Sequence, residues 1–275
     1  MGMGSWGAGA DGPSRRYNRG MALNLSSEGV ALAEKLGALG YERFRRALSA
    51  LALSFFAIVY TFLAVNAPEG WGPAFAALGA CYLVAFFAVV AEWFWGRWFA
   101  TGIGWSGLMV ALISLVMIGW VPALLIYGAI HALIVLPLAG KSMAARYDLQ
   151  EDWRKRYRMD DLGVARLRKT ITRSAASLPS LILWALGPKD PGQGMLVALL
   201  ALALVGVGFG GLLRARTWGW LAVAGSAAVA LVGGELLGMR SFAGFAGPEL
   251  AIAFLIAAVA PFTLPALRFL RSRTA

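Results

Sequence analysis

A run of 43 residues, from Trp98 to Gly140, contains no Asp, Glu, Lys or Arg. An α-helix rises 1.5 Å per residue and the hydrocarbon core of a bilayer is about 30 Å thick, so about twenty apolar residues cross it. The run is therefore too long for one span. The segment 119–122 interrupts it with Gly, Trp and Pro, residues that end helices or favour the membrane interface. We predict a helical hairpin, 104–120 and 122–140, with a kinked, partly re-entrant element as the alternative.

The rest of the chain repeats this pattern. It is 59% hydrophobic and 14% charged, whereas soluble domains average about 45–50% and about 25%. Apolar blocks of about the length of a span recur along it. They predict five further spans, at 47–66, 73–95, 195–213, 217–237 and 249–267.

Residues 174–187 form a shorter apolar block, which either spans with strain or lies in the interface. If it spans, the segments on one side of the membrane carry 23 of the 25 Lys and Arg residues. If it does not, Arg214, Arg216 and the three arginines after residue 267 move to the other side. The positive-inside rule favours the first arrangement. We predict an all-α polytopic helical transmembrane bundle of about eight helices with both termini cytoplasmic, and seven helices as the alternative.

This topology divides the chain into six segments. Residues 1–20 are rich in glycine and predict a disordered tail, and Met21 is an equally suitable start. Residues 21–46 carry a leucine stripe and predict an amphipathic juxtamembrane helix. The other segments, in chain order, are a four-helix membrane half at 47–140, a charged cytoplasmic loop at 141–173, a second four-helix membrane half at 174–267 and a basic cytoplasmic tail at 268–275.

The charged loop 141–173 holds ten basic and five acidic residues. Glu151 and Lys155 are spaced to pair on one helix. We interpret the loop as a platform that docks lipid headgroups or a protein, or alternatively as a connector that fixes topology. The net charge of +11 lies beside the membrane, so anionic headgroups account for it and no nucleic-acid partner is predicted. The basic platform candidates are Arg154, Lys155, Arg156, Arg158, Arg166, Arg168 and Lys169.

Ionisable side chains inside the predicted spans are few. His131, the single histidine, is central in its span, whereas Glu92 and Glu235 lie near the inner and outer interfaces. Two interpretations of His131 stay open. It is either a neutral histidine that is hydrogen-bonded between helices, or a proton relay or a ligand to one pigment or metal. The other intramembrane polar candidates are Cys81, Ser114 and Tyr127.

Small residues recur every four positions in the second half of the chain. Gly206 and Gly210 have this spacing, and Ser226, Ala230 and Gly234 repeat it on the next predicted helix. Such spacing lets helix backbones approach closely in lipid. The predicted use is packing within the bundle or contact with a partner subunit.

Two short motifs and one residue pair resemble features of membrane enzymes. "GWSG" at 104–107 is similar to the GxSG motif of rhomboid proteases, but the predicted helices put Ser106 about 10 Å from His131 in depth, whereas a nucleophile–base hydrogen bond needs about 3 Å. Cys81 and His131 have matching predicted depths, and the pair is similar to the Cys/His dyad of exosortases. The sequence around Cys81 lacks that family's polar cysteine motif. "DLGVAR" at 161–166 resembles part of the CDP-alcohol phosphatidyltransferase motif, without its further aspartates.

A single cysteine excludes an internal disulfide and thiolate metal clusters, and the sequence identifies no cofactor. We therefore expect a non-catalytic accessory, scaffolding or assembly subunit of a complex in a bacterial inner membrane. Its expected partners are anionic lipid headgroups and other subunits of that complex. The alternative is a carrier or channel for a small solute or proton that uses His131, and an intramembrane enzyme comes third.

Overall fold

A computed structural model describes residues 14–188, 195–214, 216–236 and 247–274. These residues form helices joined by short turns, with no β-strand among them, which confirms the all-α class. In chain order the helices are α1 Ser14–Asn66, α2 Gly72–Val90, α3 Gly96–Ile118, α4 Pro122–Leu138, α5 Lys141–Asp148, α6 Glu151–Tyr157, α7 Asp161–Leu186, α8 Met195–Leu213, α9 Thr217–Leu236 and α10 Gly247–Thr274.

The chain divides into two compact units, residues 1–44 and 45–275. In the first unit, residues 1–13 of the predicted disordered tail lie outside the described ranges, and Tyr41 and Phe44 are exposed. The second unit contains the C-terminal part of α1 and helices α2 to α10.

Four helices are long and apolar enough to cross a membrane, and a fifth is obtained if α4 and α5, bent by 72° at their junction, are taken as one broken span. A count of about eight is not reached within the described residues. The apolar stretches in α9 and α10, Trp218–Gly233 and Glu249–Pro265, are shorter, and residues 174–186 form the second part of α7, which begins with a charged part. The four long apolar segments are Gly40–Asn66, Gly72–Val90, Gly96–Ile118 and Met195–Leu213.

Large apolar side chains cover the outer faces of these helices. Ile58, Phe62, Val116 and Leu196 each expose more than 60% of their surface. Large apolar side chains exposed along several apolar helices suit contact with lipid chains. The apolar surface therefore agrees with the helix lengths in indicating a membrane protein.

The helical hairpin turns where the sequence predicts it. Helix α3 ends at Ile118, Gly119 has a φ of 94°, and α4 begins with Pro122 at its first position. A φ in this range favours glycine, and proline suits the first turn of a helix.

The start of α3 differs from the prediction. The helix begins at Gly96 and not at residue 104, so residues 96–103 are its first turns and not a connection between two spans. Arg97 and Trp98 are buried there. A carboxylate from the charged loop, Asp148, neutralises the buried arginine.

The charged loop folds against the bundle. Its 141–173 stretch contains α5, α6 and the first half of α7, and it buries the side chains of Met143, Tyr147, Trp153 and Leu167. Helix α7 continues from this loop into the bundle, where it packs against α3 and α10. The loop and the bundle therefore share one hydrophobic core.

Helices α8 and α9 pack through small residues, although not all of the predicted ones. Gly208 and Gly211 lie against Gly219, whereas nothing lies within 4 Å of a Cβ built on Gly206 or Gly210. At the same interface Ser226 Oγ donates to the carbonyl oxygen of Ala201 at 2.7 Å, and Ala230 is fully buried. Gly234 and Glu235 fall outside the residues whose side chains are described.

We predict that Gly219→Ala destabilises the protein. The added Cβ would lie 2.5 Å from the backbone nitrogen of Leu212, and backbone cannot move away cheaply. Gly206→Ala is the matched control, since it adds the same methyl to open space on α8 and should leave stability unchanged or slightly raised. Thermal unfolding in detergent measures both. Equal midpoints for the two variants would contradict the observed α8–α9 packing.

Candidate functional site

Asp148, the last residue of α5, is the centre of a buried polar network. Only 4% of its surface is exposed, and its carboxylate faces Arg97 in the first turn of α3. Arg97 donates through Nη2 to Oδ2 at 2.6 Å and through Nε to Oδ1 at 3.2 Å. This two-point geometry is the strong form of a charge-assisted hydrogen bond.

Two further side chains donate hydrogen bonds to the Asp148 carboxylate. Trp98 Nε1 donates to Oδ1 at 2.7 Å, and Arg168 Nη1 donates to Oδ2 at 3.3 Å. Burying an ion pair is favourable only when such extra hydrogen bonds satisfy it, and losing one partner of a buried pair costs about 3–5 kcal/mol. Asp148 thus links α5, α3 and α7 through three side chains.

The same region caps the C-terminal ends of two helices. The last carbonyls of a helix lack intrahelical donors, and at the end of α2 Tyr147 Oη donates to the Val89 oxygen at 2.8 Å. Burial raises the pKa of the Tyr147 phenol, so it stays protonated and keeps donating. At the end of α4, Arg97 Nη1 donates to the Leu138 oxygen at 3.3 Å. A cation at a helix C-terminus also interacts favourably with the helix dipole.

Glu92 forms a second attachment point, between α2 and α3. Its backbone has a φ of 54°, which lets the chain turn sharply, and its carbonyl accepts from Gln150 Nε2 at 2.9 Å. Its side chain pairs with Arg46 and with Arg146, whose Nη2 lies 2.8 Å from Oε1. The interfacial carboxylate therefore binds arginines of the same chain.

Aromatic rings pack together where α6 meets the start of α3. Trp153 of α6 is buried and stacks on Phe94 with ring centroids 4.3 Å apart, and its ring meets Trp98 edge-on at 6.0 Å. We call the region 141–173 the platform. Through these contacts it is fixed to the end of the bundle, although the sequence alone indicated a solvated loop.

The outer surface of the platform carries most of the predicted basic residues. Arg154 pairs with Asp161, and Lys155 Nζ lies 2.5 Å from Glu151 Oε2. Arg168 is the exception, because it points inward to the buried carboxylate. The remaining basic candidates are fully or partly exposed: Arg156, Arg158, Arg166 and Lys169.

His131 is fully buried between helices and uses both ring nitrogens. The carbonyl oxygen of Tyr127 lies 2.9 Å from Nδ1, and Tyr82 Oη lies 2.7 Å from Nε2. A carbonyl only accepts, so Nδ1 carries the proton and Tyr82 donates to Nε2. This is the hydrogen-bonding pattern of a neutral histidine joining α4 to α2.

Aromatic and glycine residues enclose this ring. The Phe56 ring centroid lies 4.0 Å from that of His131 and the Tyr127 centroid 4.3 Å. A Cβ added to Gly107 would overlap the imidazole. Gly107 therefore lets α3 approach the histidine closely.

The predicted depth difference between Ser106 and His131 is wrong. Because α3 begins at Gly96, Ser106 lies ten residues into the helix, and its neighbour Gly107 touches the His131 ring. Ser106 Oγ nevertheless has no hydrogen-bond partner among the described residues. No Ser–His hydrogen bond of the protease type is therefore present in this part of the chain.

The other intramembrane candidates separate into two places. Cys81 is half-buried and packs against the hydrophobic core, and its neighbour Tyr82 is the residue that binds His131. Ser114 and Tyr127 line a partly open cavity of about 400 Å³, whose described lining residues belong to α1–α4, α7 and α10. The His131 ring is not part of the cavity wall.

No group of three or more His, Cys, Asp or Glu side chains lies close enough to hold a metal ion in the described parts of the chain. Comparisons with protein-family models, curated proteins and solved structures return no match.

Sequence reasoning missed the residues that organise the network, Arg97, Asp148 and Tyr82. A signal was present for the first, since Arg97 stands next to the uncharged run that begins at Trp98. A charge at that position needs either the interface or a buried partner. Nothing in the sequence identified Asp148 among five loop carboxylates as that partner.

We predict that Asp148→Asn lowers the free energy of unfolding by about 3 kcal/mol or more, because it leaves the buried Arg97 cation without its counter-charge. Asp161→Asn is the control, since this carboxylate also pairs with an arginine but its side chain is 91% exposed, and exposed pairs contribute little. Denaturant unfolding in mild detergent measures the difference. Equal stability of the two variants would contradict the structural role of Asp148.

Proposed function

We propose that this chain is a multi-pass inner-membrane protein of about eight helices with both termini cytoplasmic, and that it acts as a non-catalytic accessory, scaffolding or assembly subunit. Its platform is the docking surface, directed to an acidic face of a partner subunit and to anionic lipid headgroups.

The observation that carries this proposal is the attachment of the platform to the bundle. Asp148, Tyr147 and Trp153 fix it by a buried ion pair, a helix cap and ring stacking. A surface held in place before binding loses little conformational entropy when a partner arrives. A mere connector between two membrane halves would not need to bury a charge and a tryptophan.

Charge supports the chemistry of the partner. On the platform, Arg156 and Arg158 are exposed, and neither forms a salt bridge with an acidic side chain among the described residues. Basic groups beside a membrane attract anionic lipids and complementary protein surfaces. The acidic side chains of the loop are partly used internally, since Asp148 and Asp161 pair with arginines of the same chain.

A carrier or channel for a small solute or proton is the second candidate. The cavity supports it, because its wall includes Tyr127, whose carbonyl accepts from His131. A proton relay through His131 would have to break one of two existing hydrogen bonds. The scaffold proposal needs no such step, so it takes precedence.

Gentle purification from the native membrane tests the scaffold proposal. We expect partner chains to co-purify at a fixed ratio with the wild type, and the Arg156→Gln/Arg158→Gln variant to lose them at least tenfold. The Arg214→Gln/Arg216→Gln variant is the matched control, since it removes two exposed arginines at the same spacing from the α8–α9 turn.

A lone chain, or equal loss of partners in both double variants, would sink the scaffold proposal. Reconstituted flux that depends on His131 would then favour the carrier.

Single-cysteine labelling tests the proposed topology. In a Cys81→Ala background, we expect Glu69→Cys to react with an impermeant thiol reagent in intact cells, and Lys155→Cys only after permeabilisation. Arg214→Cys decides the helix count. If residues 174–187 span, it stays protected like the platform cysteine, whereas labelling in intact cells would support the seven-helix alternative.

A further inference from the structure

The cavity of about 400 Å³ lies in the half of the bundle away from the platform. Its walls include Phe75 in the first turns of α2, Ser114 in the last turns of α3 and Leu124 in the first turn of α4. Binding pockets for small molecules are commonly about 300–1,000 Å³. The cavity is therefore large enough for a ligand and does not resemble a packing defect.

The chemistry of the described walls disfavours a charged ligand. None of the described residues that line the cavity carries a formal charge. Aliphatic residues such as Leu78, Val110 and Ile113 form most of the surface, and moving an unpaired ion into such surroundings is very costly. An occupant must therefore be uncharged and mainly apolar.

The polar groups of the cavity wall are hydroxyls. Tyr60, Tyr127, Ser114 and Ser180 all line the wall. Hydroxyls both donate and accept. They can bind either a hydroxyl or a carbonyl group of a ligand.

Ser106 is the decisive residue. It is fully buried, its Oγ has no partner among the described residues, and it is one of the residues that line the cavity. Buried polar atoms in folded proteins nearly always have a hydrogen-bond partner, and leaving one unpaired costs stability. A ligand oxygen at this point would supply the missing bond.

We propose that the cavity is a binding site for an uncharged amphipathic lipid, whose hydroxyl or carbonyl head hydrogen-bonds to Ser106 and whose chain lies along the apolar face of α3 between Val110 and Ile113. This site depends on the membrane location but not on the scaffolding function, because it lies away from the platform.

Photolabelling of the full-length protein in lipid nanodiscs tests the site. The probes are a long-chain alcohol and a methyl ester of the same chain length, each with a diazirine in the chain, and the corresponding fatty acid as the charged analogue. We expect the alcohol or the ester to label peptides containing Val110, Ile113 or Leu183, with competition by the unlabelled compound. The probe that labels more strongly identifies the preferred head group, which is a hydroxyl if it is the alcohol and a carbonyl if it is the ester.

Variants make the test specific. Ser106→Ala should raise the half-maximal labelling concentration about five- to tenfold, and Val110→Trp should abolish labelling by filling the cavity. Ser177→Ala is the control, because this buried α7 serine donates to the Ser174 oxygen and does not line the cavity. Ser106→Ala removes no hydrogen bond within the described protein, so it should fold even if the tryptophan variant does not.

The proposal is overturned by any of three results. These are labelling confined to lipid-facing positions such as Leu196 and Val207, labelling unchanged by Ser106→Ala, and stronger labelling by the ionised fatty acid than by both neutral probes. The first would mean that the probes do not enter the cavity, the second that Ser106 does not bind the head group, and the third that the cavity's chemistry is not that of the described walls.

Discussion

The buried pair between Arg97 and Asp148 is the interaction on which the arrangement of this protein depends. Asp148 ends a helix of the platform, and Arg97 begins a helix of the bundle. The pair is shielded from water, and Trp98 and Arg168 add hydrogen bonds to it. Without this neutralisation, neither the first turns of α3 nor the end of α5 would tolerate burial. The ion pair therefore decides where the membrane helix starts and how the platform is held.

The coarse fold could be predicted from the sequence because bilayer thickness leaves few alternatives for long apolar runs. The hairpin turn at 119–122 followed from Gly and Pro chemistry alone. The start of α3 could not be predicted, since it depends on a partner 51 residues away. The helix count also exceeds what the described helices support, because α9 and α10 contribute only short apolar stretches. Within the candidate site, His131 could be singled out as the one histidine, but its partner Tyr82 is an ordinary aromatic residue in the sequence.

The polar groups inside the bundle fall into two kinds. His131 is saturated by Tyr82 and Tyr127, and Gly107 allows the close approach, so this cluster has the character of a structural joint. Ser106 is one residue from that joint and lacks a partner among the described residues. In apolar surroundings satisfied groups rigidify a fold, whereas unsatisfied ones are costly unless something binds them. This contrast separates the joint from the cavity and assigns them different roles.

The most direct test of the proposed docking surface is hydrogen–deuterium exchange of the wild-type protein in lipid nanodiscs, followed at the amides of α5 and α6. These helices have 8 and 7 residues, and isolated helices of that length are not stable in water. If the platform is fixed to the bundle, their amides should exchange at least a hundredfold more slowly than those of an unstructured peptide. Exchange at the rate of an unstructured peptide would mean that the platform is a mobile connector, and the preformed docking surface would not exist.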